Sequence, residues 1–235
     1  MPRVLFPLPD RDFDTTEVAI PWLVLTRAGV EVVFATEAGA VPETDPLLLS
    51  GVIFGQLGAE GDAKAAYAKL REDPAFQAPL RWDAVEPTGF DALWLAGGHA
   101  KGMRQYLGSA PLQEKVRAFW ELDRPVAAIC HGVLVLARAG VLSGRKTTCL
   151  PKYMEQTAWL LTAWKLGDYY RTYPEWVEDE VRASGATFER GPVHLVARGT
   201  ESDDAPAFVV EDGNYVSARW PGDAWKLAKV LLSKL

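Results

Sequence analysis

Cys130, His131 and Gly132 stand in a row directly after the apolar run Val126–Ile129, and a second apolar series follows at once in VAAICHGVLVLARAG (126–140). A thiol at a strand–helix junction faces helix amides whose partial positive charge favours thiolate. Glycine at 132 leaves room for a tight turn and for the approach of a substrate. The chemistry this suits is nucleophilic attack on a carbonyl carbon, which also needs donors for a developing oxyanion and a group that moves protons. Gly97-Gly98-His99 offers a second glycine turn, and Glu17 offers a carboxylic acid. The amides of Gly98 and His131 are the expected oxyanion donors. Each residue also has a plain reading: a buried cysteine is usually inert packing, and adjacent side chains such as Cys130 and His131 normally diverge. His99 can simply satisfy its turn, and Glu17 can be a solvated first-turn acid favoured by the helix dipole. Their common placement at strand ends outweighs these readings.

The elements that would position them alternate. RVLFPL (3–8) reads as a buried strand, TTEVAIPWLVLTRAG as a helix stopped by Gly29, and VEVVFAT (30–36) as a second strand. Pro21 lies about one turn into that helix, which predicts a loose or kinked first turn. Residues 37–88 are irregular, with one helix at 62–73. A strand at 90–98, a helix at 110–123, a strand at 125–130 and a helix closed by Gly140 follow. That rhythm predicts an open, mostly parallel sheet covered by helices on both faces. In such a sheet the ligand crevice lies beyond the carboxyl ends of the strands, where Glu17, Gly97–His99 and Cys130-His131 fall. The aromatic stretch 151–181 reads as two helices split near Gly167 and Pro174. Strands at GPVHLVAR and AFVVEDGNYVSAR, the latter turning at Asp212-Gly213, and a final helix complete the chain.

Bulk properties narrow the function classes. The net charge of −6 argues against a polyanion-binding surface, so no nucleic-acid partner is expected. No run approaches the roughly 20 apolar residues that span a bilayer, and MPRVLFPLPD reads as a strand rather than a leader. The expectation is a cytoplasmic protein without a membrane partner. Two cysteines, Cys130 and Cys149, predict free thiols. GGHAKGM lacks phosphate-loop spacing, and the scattered histidines and cysteines lack the spacing of a ligand cluster, so no metal and no cofactor are expected. The aromatic tract at 159–176 reads as core, interface or site wall. No repeat or linker divides residues 1–235, which predicts one domain with variable insertions around 37–88 and 151–190.

DFDTTEVAIPWLVLTRAGVEVVFATEAG, LWLAGGHAKGM and RPVAAICHGVLVLARAG together resemble the DJ-1/PfpI superfamily, nearer its Hsp31 and PfpI-like branches than DJ-1 itself. The resemblance covers most of residues 1–150 and, more loosely, NYVSARWPGDAWKLAKVLL. It implies a flavodoxin-like three-layer sandwich, related to class I glutamine amidotransferases, and a homodimer. It also implies a nucleophilic Cys130, a Glu17 carboxylic acid bonded to the thiol, and oxyanion amides at Gly98 and His131. Two departures stand out. Ala96 occupies the place of a common proline, and Lys152 stands where Hsp31-like members place the aspartate that orients the histidine. Glu155, Asp168 or an acid from a partner chain are the substitutes the sequence offers, and Cys149 reads as packing.

The leading expectation is therefore a cofactor-independent cysteine enzyme acting on small carbonyl compounds, as in glyoxalase III-like conversion of methylglyoxal to a 2-hydroxy acid. Hydrolysis of amides or small peptides is the nearest competitor. A redox sensor or stress-associated chaperone, with Glu17 stabilising oxidised Cys130, is the alternative of another class. A scaffold that has lost its activity is a third.

Overall fold

The computed structural model describes residues 1–52, 57–193 and 197–235. Seven strands form the main sheet: β1 (Arg3–Pro7), β2 (Glu31–Thr36), β3 (Leu80–Arg81), β4 (Ala92–Leu95), β5 (Val126–Ile129), β6 (Val209–Asp212) and β7 (Tyr215–Ala218). Their spatial order is β6-β7-β5-β4-β1-β2-β3. All pairs are parallel except the edge hairpin β6–β7, which turns at Gly213 with φ +64°. The central strands β4 and β5 are buried along their whole length, because helices cover both faces, and so they read as continuous apolar runs.

Helices α1 (Thr15–Arg27), α2 (Gly61–Leu70) and α7 (Ala224–Leu232) pack together on one face. Helices α3 (Ala110–Trp120), α4 (Val133–Arg138) and α6 (Val177–Ala183) cover the other, and α5 spans Lys152–Leu166. The result is a three-layer α/β sandwich of the flavodoxin-like kind. On the second face, Leu112, Val116 and Phe119 of α3 share a small apolar gap with Leu5 and Leu93 of the sheet. Among the described residues no helix is long and apolar enough to cross a membrane.

Helix α1 is continuous from Thr15 through Pro21 to Arg27. One expectation changes. The expected strand at GPVHLVAR is not seen at 191–193 or 197–198, and its centre, 194–196, lies outside the described residues. The region 37–88 is also richer than expected, with short helices at Pro46–Ser50 and Pro74–Gln77, each begun by an aspartate cap and a proline.

The chain order places the crevice. After β1 the chain builds β2 on one side, then crosses to build β4 and β5 on the other. The strand order therefore reverses beside β1, and the space beyond the carboxyl ends there is open to a ligand. Helix α1 begins just past β1, the glycine turn just past β4, and Cys130 just past β5.

Candidate active site

Ile129 ends β5 in an extended conformation, φ −134° and ψ 142°, and Cys130 then turns sharply with φ +57°. A tight 3-10 turn over Cys130–Gly132 leads into α4. Holding an L-residue in the left-handed region costs about 1–2 kcal/mol, so surrounding packing must impose it. Gly132 shows how: a Cβ there would stand 2.2 Å from Leu95 O and 2.7 Å from Ala96 O, at the end of β4. Only glycine lets the elbow press that closely on the neighbouring strand.

Glu17 meets this elbow from α1. The side chain of Asp14 caps that helix, accepting from Thr16 N at 2.8 Å and Glu17 N at 3.0 Å. One turn in, the Glu17 carboxyl lies fully buried with Oε2 accepting from Gly97 N at 2.7 Å. A Cβ on Gly97 would stand 2.8 Å from His131 N, 2.9 Å from Glu17 Oε2 and 3.0 Å from Cys130 Cβ. The missing side chain is what allows the acid, the thiol and the histidine amide to converge. Glu17 Oε1 has no hydrogen-bond partner in this geometry, although the neighbouring Cys130 thiol is among the groups that favour its ionised form. Burial, followed by the charge of Asp14, pushes Glu17 well above the usual carboxylate range. Asp14 itself is raised to about 6 by burial.

The thiol does not match the expectation of an amide-stabilised thiolate. Burial pushes Cys130 well above the ordinary thiol range, and the Glu17 and Asp14 charges push it further, against a smaller opposing effect of the His131 amide. The Glu17 charge disfavours the thiolate, and burial disfavours the charged form of both groups. A buried Glu17 held above the usual carboxylate range is suited to giving a proton, which a solvated first-turn acid is not.

His131 is fully buried, with Nδ1 3.5 Å from Cys130 Sγ. Its Nε2 lies 3.2 Å from the Thr172 hydroxyl, which is itself 2.6 Å from the His99 carbonyl oxygen. Burial keeps both imidazoles neutral: His131 titrates well below its ordinary value, and His99 is lowered to about 3. The His99 ring meets that of His131 edge-on at 4.7 Å and that of Tyr170 at 4.6 Å. Glu155 and Asp168, the substitutes this chain offers for the missing aspartate, lie elsewhere. Asp168 is exposed and pairs with Lys101, Glu155 accepts from Val177 N, and Lys152 pairs with Asp179. Thr172 takes the place, from a loop that leaves α5 at Gly167, and nothing local in DYYRTYPEW marks it out.

The linear spacing also hid a cluster: one ligand atom each from His99, Cys130 and His131 lie within 4.8 Å of one another. Two neutral imidazoles and a thiol are the donor types a thiophilic cation takes. Gly98, at φ +156°, leaves a Cβ only 2.5 Å from Asp12 O, so that position also demands glycine. Cys149 is buried, with its sulfur 3.7 Å from Leu150 O.

A cavity of about 370 Å³ opens beside the site, walled in part by Asp14, Thr16, His99, Met154, Tyr170 and Arg198. Cys130 stands at the carboxyl end of β5 but does not line the cavity and is only 1% exposed. His99 and Tyr170 belong to the cavity wall and meet there edge-on.

Residues 8–184 match the family model described as ThiJ/PfpI family-like. The chain is 29% identical over 234 residues to the deglycase PfpI of Pyrococcus furiosus, covering 99% of each protein. It is 34% identical over 157 residues to the deglycase PH1704 of Pyrococcus horikoshii, covering 66% of this chain and 69% of that protein. The solved structure of glyoxalase III from Candida albicans superimposes with a TM-score of 0.73 at 18% identity, over 100% of this chain and 97% of that one, and attests the fold.

Proposed function

The chain belongs to the ThiJ/PfpI family, and from that premise we propose that it is a cysteine-dependent enzyme acting on small reactive carbonyl compounds. The observation that carries this reading is the strained Cys130 elbow with the buried Glu17 carboxyl converging on the same glycine, Gly97. A deglycase and a glyoxalase III stand among the similar proteins, and both names denote chemistry on carbonyl compounds.

In the proposed reaction the Cys130 S–H bond breaks and its proton passes to a neighbouring base. The sulfur pair forms an S–C bond to the aldehyde carbon of a 2-oxoaldehyde, and the carbonyl oxygen is protonated by Glu17 to give a hemithioacetal. Glu17 or His131 then moves the proton on that carbon to the adjacent one. The first carbon is oxidised to a thioester and the second reduced to an alcohol, so no outside oxidant is consumed. Water cleaves the thioester, releasing a 2-hydroxy acid and restoring the thiol. The cavity lies within the size range of small-molecule sites and far exceeds a three-carbon compound. That space favours the related reading in which the carbonyl arrives as an adduct on a larger amine- or thiol-bearing molecule. Amide hydrolysis is the weaker reading, because the group on His131 Nε2 is an uncharged hydroxyl that cannot stabilise an imidazolium as a carboxylate does.

The test is methylglyoxal consumption with formation of lactate by the purified chain. Cys130→Ser is expected to abolish turnover, and Glu17→Gln to lower it by about 10²-fold or more while the fold is retained. No turnover by the native chain, or unchanged turnover in Cys130→Ser, removes the proposal.

A further inference from the structure

The Thr172 hydroxyl touches two groups at once, the His99 carbonyl oxygen at 2.6 Å and His131 Nε2 at 3.2 Å. A carbonyl oxygen has no proton to give, so the single hydroxyl proton must point to His99 O. What Thr172 then presents to His131 is a lone pair, and the second hydrogen bond runs from Nε2–H to Oγ1. A neutral imidazole has one N–H proton, and the contact to Thr172 accounts for it at Nε2. Nδ1 is left with a lone pair, and it faces Cys130 Sγ at 3.5 Å.

We propose that Thr172 is a positioning residue that fixes His131 as the Nε2–H tautomer, so that Nδ1 accepts the Cys130 thiol proton. The tautomer follows from the hydrogen-bond geometry of a neutral ring; its consequence for turnover rests on the function proposed above.

The consequence differs from that of an aspartate in the same place. When the thiol proton moves to Nδ1, both ring nitrogens carry protons, Nε2–H stays on Thr172, and the positive ring gains no counter-charge behind it. Arg138 and neutral His99 near the ring add none, so the ion pair between thiolate and imidazolium is not stored at rest. It forms only as the sulfur pair is taken up by the substrate carbon, with Glu17 and Asp14 the acids on the far side of the thiol. Thr172 also fixes where His99 sits, since the same hydroxyl holds that residue's carbonyl. One side chain thus sets both the base and the cavity wall beside it.

Nitrogen-15 NMR of the histidines in the full chain, assigned with His131→Gln, tests the assignment. The expected result is a protonated Nε2 and an unprotonated Nδ1 at His131. Thr172→Val is expected to let the Nδ1–H form appear and to slow alkylation of Cys130 by iodoacetamide about tenfold. Thr172→Ser, which keeps the hydroxyl, should restore both readings. A proton on Nδ1 in the native chain overturns the proposal, and this needs no variant to fold. An unchanged tautomer in a folded Thr172→Val does the same. Methylglyoxal turnover is read separately: its absence in the native chain removes the functional reading and leaves the tautomer to be judged by NMR.

Discussion

The indole of Trp94 donates to the Glu17 carbonyl oxygen at 2.9 Å. That oxygen is the one Pro21 leaves without its helical partner, since proline four residues on has no N–H to give. The proline therefore does not break α1; it frees an acceptor that a residue on β4 takes up. Two residues beyond the end of that strand, Gly97 N holds the carboxyl of the same glutamate at 2.7 Å, and Asp14 N donates to Gly97 O at 2.8 Å. Backbone and side chain of Glu17 are thus tied to the end of one strand, which holds the acid in place before any substrate arrives.

The elbow strain has a measurable sign. In an ordinary helix or strand glycine is less stable than alanine by roughly 0.5–1 kcal/mol. At Cys130, with φ +57°, that order should reverse. Cys130→Gly is expected to be more stable than Cys130→Ala by about 1 kcal/mol, read from urea unfolding midpoints. Equal stability, or the ordinary order, would show that the turn stores no strain.

Stability should fall as the solution becomes more alkaline. Glu155 is 1% exposed and raised from 4.5 to about 7 by burial, and Asp14 is raised to about 6. In both cases the native state binds protons more tightly than the unfolded chain. Their favourable contribution is present at low pH and is lost as pH climbs from the unfolded value through the folded one. Glu155→Gln should remove on the order of 2–3 kcal/mol of the decline between about pH 5 and pH 8. A denaturation series across that range checks this, and an unaltered slope in the variant would contradict it.

Access to the thiol should depend on Tyr170. Its ring is 3% exposed and meets His99 edge-on in the cavity wall. Alkylation of a buried thiol proceeds through local opening, so removing a wall ring should raise its rate. Tyr170→Ala is expected to speed iodoacetamide labelling of Cys130 several-fold while Cys149 stays unlabelled, as read by peptide mass spectrometry. Equal rates in both proteins would mean that the thiol is reached by another route.

Much of the fold was legible in the sequence for local reasons. Apolar runs bounded by Gly29, Gly97 and Gly140 gave strands and helices near their observed ends, because periodicity and turn geometry act over a few residues. The Asp212-Gly213 hairpin needed only its own two residues. What Pro21 frees is illegible for the complementary reason: the propensity argument is local, whereas the freed acceptor is taken up 77 positions away. The sequence offers Glu155, Asp168 or a partner chain's acid behind His131; within this chain a hydroxyl 41 positions from the ring stands there. A threonine carries no charge or spacing signature by which it could have been found.

The sequence by itself determined the alternation of strands and helices, the glycines that force tight contacts, and the placing of an acid and a thiol at neighbouring strand ends. Tertiary structure decided the directions in which Glu17 and Cys130 are shifted, the partner of His131, and the edge-on contact of His99 and Tyr170 in the cavity wall. Backbone preference is set by neighbours along the chain, whereas ionisation, hydrogen-bond direction and access depend on desolvation by groups that only folding brings near.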